Sequence, residues 1–200
     1  LGIIIFYLIE DINGHGMMMD PVNRSSAWRK GFKTPPNYTD NEHFCGGQGG
    51  NCGECGDDWA QPRPRSNENG GTYGTGTIVQ TYKAGTVVDI TVKLSANHMG
   101  TFNFNICPLN NPKDLETDAC FEKYPLKIAD GSNGYLWKVP SGSGEFVIPV
   151  HLPAGLKCKQ CVVRWNYRCG NTWGRCPDGS GRVGCGPQEH FRSCADVTIA

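Results

Sequence analysis

From Thr77 to Ile199 the chain is cut into short runs of β-type residues, and this segmentation constrains its fold more than any other feature. The runs are Thr77 to Tyr82, Thr86 to Leu94, Thr101 to Ile106, Glu145 to Leu152, Cys161 to Tyr167 and Asp196 to Ile199. Within Thr86 to Leu94 apolar and polar residues alternate, the pattern of a strand with one buried face. Gly85, Pro140, Pro153 and Gly155 punctuate the set. A long amphipathic helix is nowhere indicated, although the segment from Asn111 to Tyr124, between Cys107 and Cys120, suits a short helical piece. Short strands separated by turn signals predict an all-β fold, an antiparallel β-sandwich of the immunoglobulin or fibronectin type III kind.

Ahead of the strands, from His15 to about Tyr73, periodicity is lost among Gly, Pro and Asn residues, and the segment reads as a long loop region. Loops of that length inside a compact domain are usually functional or stapled. The staples are at hand, since the chain has 11 Cys beside 27 Gly and 13 Pro. Cys52 with Cys55 and Cys158 with Cys161 have a spacing seen at zinc sites. The two pairs lie too far apart for a zinc ribbon, and no βαβ pattern surrounds either for a redox role, so disulfides are expected. An odd total leaves one thiol unpaired or paired between chains, and Cys169, between Cys161 and Cys176, is the residue expected to remain. The connectivity of the others is open.

Leu1 to Ile9 is apolar but too short to span a bilayer, and polar residues from Glu10 to Gly14 follow. This resembles the end of a secretory signal cleaved after Gly14; the alternative is a buried first strand from Gly2 to Ile9. The expected organisation is residues 1–14 as a signal-peptide remnant and residues 15–200 as one domain, secreted, extracellular and monomeric. Two sequons, Asn23-Arg24-Ser25 and Asn37-Tyr38-Thr39, fit a secreted glycoprotein. Lys+Arg and Asp+Glu are both 19, which gives no electrostatic case for nucleic acid or an anionic membrane as partner.

Cleavage after Gly14 would leave His15 at the mature terminus, where a free α-amine and an imidazole come from one residue. That pair makes His15 a copper ligand candidate. The remaining histidines are His43, His98, His151 and His190. His98 follows the strongest strand, in Ser95-Ala96-Asn97-His98-Met99-Gly100, where small and polar residues indicate a loop at the end of the sandwich. Two nitrogens from His15 and one from His98 form the planar set that Cu(II) favours. No Ser nucleophile elbow, phosphate-cradling loop or His-Glu-x-x-His pattern occurs. Asp89, Glu145 and Glu189 would serve glycoside hydrolysis only if two of them met in space.

The opening His15-Gly16, then Pro21 to Phe32, Pro36-Asn37-Tyr38 and Cys45-Gly46-Gly47, resembles that of the lytic polysaccharide monooxygenases of auxiliary activity family 15. Ala96 to Gly100, Arg164-Trp165-Asn166-Tyr167, Gly170 to Gly174 and Gly186 to Asp196 resemble the family's later landmarks. The resemblance covers essentially all of the chain after Gly14. It implies a histidine brace, with copper held by the α-amine and side chain of His15 and the side chain of His98.

By the same resemblance Phe191 occupies the axial position, closing it with an apolar ring. Glu189 and Arg164 resemble positions close to the copper that orient its surroundings, and surface salt-bridge partners are an equally good account of both. His190 would point to the opposite face of its strand from Phe191. Trp165, Tyr167 and Trp173 are expected in the core, and Met17, Met18 and Met19 as strand packing. The implied activity is oxidative cleavage of crystalline chitin or cellulose, driven by an external electron donor. The alternatives are a disulfide-rich sandwich that binds such a polymer without acting on it, and a copper-binding protein without oxidation.

Overall fold

A computed structural model describes residues 15–45 and 51–200. The expected leader and the alternative first strand lie outside the described residues. The strands in chain order are β1 (His15–Asp20), β2 (Gln80–Tyr82), β3 (Val87–Ala96), β4 (Thr101–Leu109), β5 (Pro125–Ile128), β6 (Trp137–Lys138), β7 (Gly144–His151), β8 (Cys158–Arg168), β9 (Trp173–Arg175), β10 (Gly181–Val183) and β11 (His190–Ile199). A short α-helix, α1 (Asp118–Lys123), falls inside the segment expected to be helical; Thr117 caps it by accepting from the Cys120 amide.

The strands pair in the order β1-β3-β7-β5-β4-β8-β11-β2, with β6 added beside β4. Because β5 pairs with both β7 and β4, the path curls into a sandwich. Ile90, Val92, Leu94, Ile148 and Val150 come from one side, and Phe104, Val163, Trp165, Tyr167, Phe191 and Val197 from the other, forming one buried cluster. The alternation in β3 separates this inner set from exposed Asp89. Strand β8 is buried on both faces: behind it Val162 joins Cys55, Cys107, Leu109, Phe121 and Cys194 in a second cluster.

Two expectations are corrected here. The sandwich is antiparallel except for its last pair, in which β2 runs parallel to β11. That direction is available because β2 enters from the long loop region, not from a hairpin with β11. The loop region itself begins with a strand. In β1 Met18 is fully buried while Met17 and Met19 are partly exposed, the packing role expected of the methionine triplet.

The rest of that region is held by cross-links and buried charge. Cys45–Cys52 and Cys55–Cys194 staple it, and Cys107–Cys120, Cys158–Cys161 and Cys176–Cys185 complete the bridges. Cys169 remains a free, buried thiol, as expected. Arg24, 4 % exposed, forks onto Asp196 at 2.7 and 2.8 Å and also pairs with Glu116. A buried guanidinium is tolerated only when paired in this way. Among the described residues, no helix is long and apolar enough to cross a membrane.

Candidate metal centre

His15 and His98 reach the same end of the sandwich through the β1–β3 pairing. His15 is the register partner of Ala96, two residues before His98. Gly16 permits this approach: a Cβ there would lie 2.5 Å from Leu94 Cδ2 and 3.0 Å from the Trp165 ring. Its amide donates to the Asn41 carbonyl at 3.0 Å, tying β1 to the loop that carries Glu42. Glu42 Oε1 stands 3.6 Å from His15 Nε2. The sequence offered no signal for Glu42, because its segment has no periodicity.

The loop after β3 is set by its backbone. Met99 and Gly100 both have positive φ, and a Cβ on Gly100 would lie 2.1 Å from the Arg168 carbonyl oxygen. The close approach lets the Gly170 amide donate to the His98 carbonyl at 2.9 Å, while the His98 amide donates to the Tyr167 hydroxyl at 2.9 Å. Tyr167 is fully buried, and burial raises its phenol above the usual tyrosine range.

The His98 ring is 5 % exposed and neither of its nitrogens has a hydrogen-bond partner. Glu189 Oε2 lies 3.3 Å from Nδ1 without the alignment of a hydrogen bond. Leaving a buried imidazole unsatisfied costs about 1–3 kcal/mol. A cation held by the ring would explain that expense, so the donor set at His98 fits a metal.

Phe191 is fully buried and its ring stacks on Tyr167 with centroids 5.9 Å apart, one ring removed from the His98 amide. His190 lies on the other face of β11, in a polar cleft with Asp118, Arg192 and Trp59. Burial, then Arg192 and Arg168, lower its tendency to carry a proton.

Arg164 corrects an expectation. It stands an odd number of residues from Tyr167 on β8, so it faces away from His98, pairing with Asp118 and lying over the Phe121 ring at 4.0 Å. Burial, then the like charge of Arg192, lower its pKa to about 10, and Asp118 offsets them only in part. Strand parity alone could have placed it there.

Trp173 also departs from expectation. It is 63 % exposed on the β9–β10 hairpin, whereas Trp165 and Tyr167 are core as expected. His43 is buried with Nε2 3.2 Å from the Ser25 hydroxyl, His151 is exposed, and neither neighbours His98 in sequence register. Asp89 and Glu145 lie exposed on the outer sheet surface while Glu189 sits at His98, so the three do not form a carboxylate pair.

A family model described as lytic polysaccharide mono-oxygenase, cellulose-degrading, matches residues 15–197. Among solved structures, a lytic polysaccharide monooxygenase AA15 from Thermobia domestica in the Cu(I) state is 44 % identical and superposes with a TM-score of 0.90. The match covers 93 % of this chain and 99 % of that one. No curated protein matches.

Proposed function

This chain belongs to the lytic polysaccharide monooxygenases of auxiliary activity family 15, copper-dependent enzymes that act on polysaccharide with an external reductant, and from that premise we propose that His15 and His98 hold its copper. The observation that carries the assignment is the buried His98 ring, with neither nitrogen hydrogen-bonded, at the strand end where β1 brings His15. Family membership sets aside both the non-catalytic binder and the copper carrier.

In this reading cleavage after Gly14 exposes the α-amine of His15, which chelates together with the Nδ1 of the same residue. Glu42 beside Nε2 favours the proton on that nitrogen and the lone pair on Nδ1. Glu189 does the same at His98, directing Nε2 to the metal. Bound copper, once reduced, supplies the activation of oxygen or peroxide that removes hydrogen at a glycosidic carbon. Tyr167 and Gly170 fix the His98 main chain, and the Phe191 ring packs behind Tyr167 and holds it in place. Exposed Trp173, at 63 %, offers a flat face to sugar rings. The substrate is crystalline chitin or cellulose, met outside the cell by a monomeric, secreted enzyme.

Copper titration of two forms of the chain tests the proposal. The form beginning at His15 should bind Cu(II) tightly and release oxidised oligosaccharides from chitin or cellulose, read by mass spectrometry. The form retaining residues 1–14 should bind weakly and release none. Equal Cu(II) affinity in both would remove the α-amine from the ligand set.

A further inference from the structure

Cys169 is the cysteine left over when five disulfides use the other ten. It lies just past β8, fully buried at the margin of the main apolar cluster, and its thiol also reaches a polar group. Its Sγ is 3.9 Å from Glu189 Oε2, and the two main chains are tied by the Cys169 amide donating to the Glu189 carbonyl at 2.9 Å. Glu189 Oε2 is in turn 3.3 Å from His98 Nδ1. One donor atom from each of the three residues lies within 4.8 Å of the other two. The imidazole in this cluster is the one whose buried nitrogens have no hydrogen-bond partner.

We propose that His98 Nδ1, Cys169 Sγ and Glu189 Oε2 form a second, buried cation site, suited to a thiophilic ion of the Cu(I) class. A thiol and an imidazole select soft or borderline ions, and the carboxylate balances their charge. On binding, the S–H bond breaks and an S–Cu bond forms. The proton leaves through Glu189, whose side chain is 12 % exposed, and no electron moves. Cu(I) is the state that the enzyme's own reductant produces.

A neutral imidazole has one lone pair. His98 therefore serves one set at a time, with Nε2 toward His15 or Nδ1 toward Cys169, and the two sets are alternative stations for an ion. The inference rests on the proposed function only through this shared ring.

Anaerobic Cu(I) titration against bicinchoninate, with X-ray absorption at the copper edge, tests it in a His15→Ala chain. That chain should bind one equivalent with copper–sulfur scattering. The His15→Ala/Cys169→Ala chain should bind about 10-fold or more weakly, without the sulfur signal. Should alanine at 169 fail to fold, Cys169→Ser keeps nearly the same shape but lacks the soft donor, and it should lose Cu(I) to the same extent. Equal binding with and without the thiol, or no sulfur scattering, overturns the site. Cu(II) paramagnetic resonance of wild type against His15→Ala reads the His15 assignment separately, so failure of one does not imply failure of the other.

Discussion

Glu189 Oε2 lies 3.3 Å from Nδ1 of His98, on a ring that is almost wholly buried and makes no hydrogen bond of its own. The main chain of His98, in contrast, is held at both its amide and its carbonyl. The residue is anchored by its backbone, and its side chain is left for a task other than folding.

His98→Ala should therefore lower Cu(II) affinity by about 10-fold or more and stop polymer oxidation. The fold should survive with a loss of about 1–3 kcal/mol. His43→Ala and His151→Ala should keep the copper spectrum of the wild type. Activity that survives at His98→Ala and disappears at His43→Ala would show that the ligand has been misassigned.

Phe191 separates a packing role from an axial one. Its ring is fully buried against Tyr167, so Phe191→Ala should cost about 3–5 kcal/mol whichever role holds. Phe191→Tyr places a hydroxyl in the same enclosure, and without a partner that should cost about 1–3 kcal/mol. If the position is axial, added copper should recover part of that loss and shift the Cu(II) paramagnetic resonance parameters. An unchanged spectrum would make Phe191 core alone.

The two sequons should differ in occupancy. Asn23 is 1 % exposed and spends its amide hydrogens on the Met18 carbonyl and the Ser26 hydroxyl, each at 2.8 Å. Asn37 is partly exposed, and of its side chain the oxygen accepts from Thr39 while the amide nitrogen makes none of the side-chain bonds that hold Asn23. Peptide mapping of the protein expressed through a glycosylating secretory pathway should find a glycan at Asn37 and none at Asn23. Full occupancy at Asn23 would mean that this loop docks differently.

His43 should make the enzyme sensitive to acid. Burial lowers its pKa from the ordinary 6.5 to about 4, against the weaker pull of Asp40. Between those values the unfolded chain binds a proton that the folded chain refuses, so stability falls as pH drops through the window. The effect is at most about 3 kcal/mol. Thermal unfolding of wild type and His43→Gln across pH 4 to 7 should show a shallower slope for the variant. Identical slopes would mean that His43 takes up its proton while folded.

What was legible in the sequence is what local pattern encodes. Alternation in Thr86 to Leu94 and the turn residues around it marked β3 and the sandwich, and the small, polar residues after it marked the loop of His98. Cysteine parity and crowding identified Cys169 as the unpaired thiol. Side-chain direction follows the two-residue period of a strand, so even the outward turn of Arg164 was encoded beside Tyr167. The tertiary structure alone decided which distant segments meet. Glu42 reaches His15 because a loop without periodicity is pinned to β1, β2 finds a parallel partner in β11, and Cys55 bridges to Cys194. Such contacts depend on how the whole chain buries its apolar faces and closes its loops, and no short window of residues contains that information.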